Sequence, residues 1–178
     1  MEITRDWLKK NGACSDSIKL FEKHTITDAG DIVRGLGMGI KATHGLDKQK
    51  RLKWANWLLT RALTRKNGIR YAVFTARLVL PIYAGHYPND SRVIYAIEAA
   101  EAVIADDNRA TRSTADDAAE AVAGASGTAA YPAYCAAHCA ATGMAADDAA
   151  AGMACGACPA EWGTTMINIL QYGLTLLE

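Results

Sequence analysis

Residues 66–84 read KNGIRYAVFTARLVLPIYA. Ile69, Tyr71, Val73, Phe74, Leu78, Leu80 and Ile82 fall on nearly every side of a helix of 3.6 residues per turn. Arg70 and Arg77, seven residues apart, make the only polar seam. A helix that is apolar almost all round belongs in the middle of a protein. The strict alternation of a half-buried strand is absent. The stretch therefore predicts a central helix covered by other helices. Pro81 lacks an N–H and predicts a kink that frees the carbonyl of Arg77.

Helix punctuation continues on both sides. Asp6 to Lys10 reads as a short helix stopped by Asn11-Gly12. Ser15 caps a second helix with Ile18, Leu20 and Phe21. Thr27 caps a third, in which Ile32, Leu36 and Ile40 recur every four residues. Asp47 opens a fourth that runs to about Leu63. Tyr87-Pro88-Asn89-Asp90 makes a turn, and Asp90 or Asn89 caps a sixth helix to about Ala105. Alanine-rich helices follow near 114–123, 132–142, 145–154 and 160–177. No stretch alternates at period two, so the fold class is all-α. The expected architecture is one domain over residues 1–178, a single bundle or array of about nine or ten helices with no sheet. Alanine has the best helix propensity and lets helices approach closely. Gly35 and Gly39 favour the same close crossing in the third helix. Gly35-Leu36-Gly37-Met38-Gly39 matches neither dinucleotide nor P-loop spacing, and no strand precedes it.

The chain has 178 residues, enough to bury a core without staples. Hydrophobic residues are 51% and charged residues 21%, which excludes a disordered chain. The zero net charge hides an asymmetry. Residues 1–112 hold all nineteen Lys and Arg with twelve acids, a balance of +7. Residues 113–178 hold seven acids and no base, a balance of −7. A globally basic nucleic-acid binder is excluded. The two halves either attract each other or face different partners. Five cysteines, an odd number, and a start (MEITRDWLKK) without an apolar signal core predict reduced thiols and a cytoplasmic protein. The uncharged stretch Ala121 to Ala146 is long enough to span a bilayer. It is rich in Ala, Gly, Ser and Thr and contains Pro132 and His138, so no membrane span is expected.

One stretch carries a family resemblance. It runs Arg70-Tyr71-Ala72-Val73-Phe74-Thr75-Ala76-Arg77-Leu78-Val79-Leu80-Pro81-Ile82-Tyr83, then His86-Tyr87-Pro88-Asn89-Asp90-Ser91-Arg92, then Ala96-Ile97-Glu98-Ala99-Ala100. This resembles the alanine-rich immunity-protein family of bacterial toxin–immunity systems, which also occurs in phage genomes. That family pattern is a helix ending in V-L-P, a Y-P-x-D-x-R turn, then A-I-E-A-A and further alanine-rich helices. The resemblance covers about two-thirds of the chain. Where the family usually has a second Pro and Arg after the turn, this chain has Val93 and Ile94. The resemblance implies an all-helical cytoplasmic protein that acts by binding another protein, with no catalytic residues to carry over.

The candidate partner-binding residues are Trp54, Trp57, Lys50, Arg61, Asp90 and Arg92. On the fourth helix Leu52, Ala55, Leu59 and Leu63 make a core stripe. Trp54 and Trp57 lie nearly opposite, beside Lys50 and Arg61. Either that helix is sandwiched between two neighbours, or the face is a contact patch of the residue types that dominate binding hot spots. The same face, with Lys48, Arg51, Arg65 and Lys66 nearby, suits phosphates or stacked bases as an alternative. In the turn, Asp90 caps the next helix, and Arg92 pairs with an acid or joins a groove.

Cys135, Cys139, Cys155 and Cys158 have one-turn spacing on two helices, so zinc is an alternative to packing among alanines. The packing reading is preferred, with no metal and no cofactor. Asp116-Asp117 and Asp147-Asp148 sit at helix starts, where the macrodipole favours them, but Asp106-Asp107 ends a helix and has no local explanation. His24, His44 and His86 are isolated. No nucleophile–base arrangement is present, and no enzymatic activity is expected. From Trp162 to Leu177 there is no charged residue. Met166, Leu170, Gly173, Leu174 and Leu177 form one apolar stripe, and Trp162, Ile169 and Leu176 a second. The second stripe needs a cover: either the helix is buried centrally in its own chain or, the preferred reading, a second copy covers it in a homodimer through helix 162–177. The functional expectation is a protein-binding inhibitor, either an immunity protein or a phage counter-defence protein. The alternative is a nucleotide or nucleic-acid binding module that uses the basic half.

Overall fold

The computed structural model describes residues 1–23, 25–38, 47–125, 129–142 and 148–177. Among them are ten α-helices and no strand: α1 (Arg5–Lys10), α2 (Ser15–Glu22), α3 (Ala29–Met38), α4 (Lys48–Ala62), α5 (Arg65–His86), α6 (Arg92–Ala105), α7 (Arg109–Ala123), α8 (Tyr131–Thr142), α9 (Asp148–Ala157) and α10 (Trp162–Thr175). A 3₁₀ turn, Pro159–Glu161, leads into α10. An isolated bridge joins Glu2 to Asp28. One continuous apolar core runs from Ile3 to Leu170. Ile40, Gly39, His24, His44 and the expected start of α9 at Ala145 lie outside the described residues.

Several caps differ from expectation, each for a local reason. Ser15 is the first residue of α2 rather than its cap; Cys14 precedes it, and its thiol meets the Ser17 hydroxyl at 3.4 Å. Asp28, not Thr27, accepts from the third amide of α3 (Asp31 N to Asp28 Oδ1, 3.1 Å). The Thr27 carbonyl is taken by Ile3 N at 2.7 Å. Asp47 caps α4 as expected, accepting from Lys50 N at 2.8 Å. α7 begins five residues earlier than the alanine pattern suggests. Asn108 accepts from Ala110 N and Thr111 N, and Thr111 Oγ1 accepts from Asn108 N, a complete capping box.

The helix of residues 66–84 is α5, one turn longer than expected, and it continues through Pro81 to His86. It packs on α6, α8, α9 and α10. Ile69, Tyr71, Val79 and Tyr83 are buried. Its cover is incomplete, because Arg77, Leu78 and Pro81 are exposed. α8 is the second central helix. It packs on α5, α6, α7 and α9, and it buries Pro132, Ala133, Cys135, Ala136, Ala137, Cys139 and Ala140. Small side chains on α8 and on the facing Ala115, Ala118 and Ala119 of α7 allow this crowding. The uncharged stretch divides at the end of α7, and no described helix is long and apolar enough to cross a membrane.

α10 corrects the reading of the C-terminal segment. Met166, Ile169, Leu170 and Gly173 are buried against α3, α4, α5 and α9. A Cβ on Gly173 would lie 2.3 Å from Leu59 Cδ2 and 2.7 Å from the Tyr71 ring. Trp162 and Leu176 are partly buried against the same core, and the Tyr172 ring stacks on Phe74 at 4.1 Å. Asn67 Nδ2 donates to Leu176 O at 2.6 Å, tying the end of α10 to the start of α5. Ile169 of the second stripe is thus covered by the chain itself, and Trp162 and Leu176 in part. The exposed face is Thr164, Asn168, Gln171 and Thr175, polar without charge. The absence of charge had suggested a missing cover; the chain supplies part of that cover itself, and the mass in solution decides the homodimer expectation.

Candidate functional site

α4 presents Lys50, Trp54, Trp57 and Arg61 along one side, as helical spacing requires. The Lys50 ammonium sits 5.0 Å above the Trp54 ring centroid, and the Arg61 guanidinium 4.7 Å above that of Trp57. These are cation–π contacts. Arg61 also donates from Nη1 to Trp57 O at 3.4 Å. Lys50 pairs with Asp16 of α2 at 3.3 Å. Both tryptophans are half-buried. The α1 helix lies against one of them, with Trp7 edge-on to Trp57 at 6.4 Å. The two readings of this face therefore meet in the middle. The opposite side of α4 is core, with Leu52, Ala55 and Leu59 fully buried. The tryptophan side is partly roofed by α1, α2 and α3.

Under that roof is a cavity of about 90 Å³, open on one side. Trp54, Trp57 and Leu58 of α4, Leu20 and Phe21 of α2, and Ile32 and Leu36 of α3 are among its walls. Sequence reasoning found the tryptophans but not their neighbours. The period-four stripe of α3 and the apolar face of α2 are legible, but nothing local says that they close over α4.

Asp90 and Arg92 form a separate cluster. Tyr83 donates to Asp90 Oδ2 at 2.7 Å. Arg92 Nε donates to Asp90 Oδ1 at 2.9 Å, and Arg92 N to the same oxygen at 3.0 Å. Asp90 so caps α6 one residue ahead of the formal cap position, Ser91. The Arg92 guanidinium, then the Tyr83 hydroxyl, hold the Asp90 carboxyl well below the usual carboxylate range. Burial, then the Asp90 hydrogen bond, pushes the Tyr83 phenol up to about 12. Arg92 Nη1 also reaches Ala121 O of α7 at 3.5 Å. The turn that carries the resemblance is thus a lock between α5, α6 and α7.

Cys135, Cys139 and Cys155 are buried, and Cys158 is half-buried. Burial pushes the Cys155 thiol up to about 12, which suits a packed thiol rather than a thiolate ligand. Among the described residues no three His, Cys, Asp or Glu side chains converge to hold a metal ion. The four cysteines are not assembled as zinc ligands. Tyr134 and His138 stack at 5.5 Å on the outer side of α8.

Asp107, unexplained by its position at a helix end, has a tertiary role. It pairs with Arg65 of α5 and, at 2.5 Å, with Arg112 of α7. Asp106 accepts from the Asn108 amide at 2.8 Å, within the turn that caps α7. Lys50–Asp16, Arg65–Asp107, Arg77–Glu101, Arg92–Asp90 and Arg112–Asp107 all join cations of the basic segment to acids of the same segment. Asp116, Asp117 and Glu120 of α7 remain exposed.

Comparison with family models, with curated proteins and with solved structures finds no match to this chain.

Proposed function

We propose that the protein acts by stoichiometric binding of another protein, as an inhibitor, either an immunity protein or a phage counter-defence protein. The observation that carries this is the Lys50–Trp54–Trp57–Arg61 stripe. It presents two half-exposed indoles, each held in place by a cation above its ring. Tryptophan and arginine are the side chains on which interfaces concentrate their binding energy. A face whose rotamers are already fixed loses less entropy when it docks. The resemblance of residues 70–100 to immunity proteins supports the same reading.

The nucleic-acid alternative is less well supported. Bases stack on open aromatic faces beside free cations. Here a cation of the chain already lies over one face of each indole, and many basic side chains are paired with acids of their own half.

The test begins with affinity capture of a partner from host lysate, followed by measurement with the purified partner. Lys50→Ala with Arg61→Ala removes both cations and leaves the tryptophans. We expect the pair to weaken binding by about 2 kcal/mol or more, roughly thirtyfold. Unchanged affinity in a folded double variant would place the contact elsewhere. Strong salt dependence together with binding to nucleic acid would favour the alternative.

A further inference from the structure

The cavity between α2, α3 and α4 has an unusual polar balance. Its walls include Trp54, Trp57, Leu20, Phe21, Ile32 and Leu36, and its polar members are Ser17 and Asp31. Both of these are already satisfied inside the chain. Ser17 Oγ donates to Cys14 O at 2.8 Å, and Asp31 Oδ1 accepts from Arg34 Nη1 at 3.1 Å. Lys50, which lies over Trp54, is neutralised by Asp16. So no side chain at the site offers an uncompensated charge.

The α2 wall of the cavity is loosely packed. Ile18, Leu20 and Phe21 face the core, yet none of its eight residues is fully buried. Leu20 and Phe21 pack against the core on one side and line the cavity on the other. Empty apolar volume forfeits dispersion contacts on one side, and an apolar guest restores them. A guest of single-ring size adds contacts to these walls and displaces water from them.

We propose that this cavity is a binding site for a small neutral apolar molecule, the size of one aromatic ring or a short alkyl chain. Shape and apolar contact select the guest. A charged guest is rejected, because it would lose its hydration and find no free counter-charge. The site shares Trp54 and Trp57 with the outer contact face, but Lys50 and Arg61 are not among its walls.

The probe is toluene, with benzoate as its charged counterpart. Tryptophan emission excited at 295 nm (beyond the absorption of either probe) and the melting temperature are followed on the full chain, because a guest that binds only the folded state raises the melting temperature. Toluene should change the emission saturably and raise the melting temperature. Benzoate should bind at least about tenfold more weakly. Ile32→Phe fills the cavity from its own wall and should abolish the response without lowering the melting temperature of the free protein. Leu20→Phe serves as a second filling variant if the first does not fold. Lys50→Ala with Arg61→Ala should leave toluene binding unchanged, which separates this site from the partner face. No response to toluene at its solubility limit would overturn the proposal. So would equal responses to toluene and benzoate, or an undiminished response in a folded filling variant.

Discussion

Arg65 and Asp107, forty-two residues apart in sequence, form an ion pair that fastens the start of α5 to the turn before α7. The same guanidinium donates from Nη2 to Ala140 O, at the end of α8, at 2.7 Å. Arg112 approaches Asp107 from the other side. One carboxylate thus gathers three helices. Arg112, and then Arg65, hold the Asp107 carboxyl below its ordinary value. A depressed folded-state pKa gives stability that is present above the unfolded value, near 4, and lost as pH falls through the folded one. The wild type should therefore lose melting temperature below about pH 4. Asp107→Asn should already be less stable at pH 7 and should lose less than the wild type on acidification. Parallel melting curves against pH for the two proteins would contradict this role.

Two glycines in helices should respond to alanine with opposite signs. Glycine in a helix interior normally costs about 0.5–1 kcal/mol relative to alanine. A Cβ on Gly152 meets nothing within 4 Å, so Gly152→Ala should stabilise the protein by about that amount. A Cβ on Gly173 meets Leu59 at 2.3 Å and Tyr71 at 2.7 Å. Tyr71 is itself fixed, with its hydroxyl donating to Asn56 Oδ1 at 2.5 Å. Gly173→Ala should therefore destabilise by about 1–3 kcal/mol, the scale of overpacking. Urea unfolding of both variants checks the pair, and a stabilised Gly173→Ala would refute the close crossing of α10.

The contrast between these glycines shows where sequence reading ends. Periodicity and caps gave the helices, because α5 and α6 carry their signals within their own residues. The capping box Asn108-x-x-Thr111 was also local, but alanine spacing drew attention away from it. What sequence alone leaves open is which helices cross. Gly173 and Gly152 look alike until Leu59 and Tyr71 are placed beside one of them. The same holds for the site. Trp54, Trp57, Lys50 and Arg61 share a face by spacing alone, which was legible. Trp7 and Phe21 join them only through tertiary packing. Asp90 as a cap and Arg92 as the partner of an acid were legible from spacing, but Tyr83 and the end of α7 join them only through tertiary packing.

Two weakened acids bear on stability at alkaline pH. Burial pushes both the Tyr83 phenol and the Cys155 thiol up to about 12. Their neutral forms are favoured by folding. That contribution is complete below the unfolded values, near 9 for the thiol and 10 for the phenol, and is lost as pH rises toward 12. Melting temperature should fall across this window. Cys155→Ala should flatten the early part of the decline and Tyr83→Phe the later part, each relative to its own value at pH 7. Unchanged curves in both variants would assign alkaline unfolding to other groups.

The last prediction separates a core helix from a dimer seam. Ile169 is fully buried within its own chain. It shares that burial with Met166 and Leu170 on the side of α10 that meets α3, α4, α5 and α9. Truncating such a side chain removes transfer energy and leaves a cavity. Ile169→Ala should therefore cost about 2–5 kcal/mol. The loss should appear in urea unfolding, without any dependence on protein concentration. The mass in solution should not change between wild type and variant, because the side chain is spent inside its own chain. Light scattering on a size-exclusion column at micromolar concentration reads that mass against 19.0 kDa. A dimer seam gives the reverse pattern: a wild-type mass near twice that value, halved in the variant, with unfolding midpoints that rise with concentration. Thr164, Asn168, Gln171 and Thr175 on the open side of α10 offer the control. Asn168→Ala removes no buried contact and should leave both stability and mass within about 0.5 kcal/mol and experimental error of the wild type.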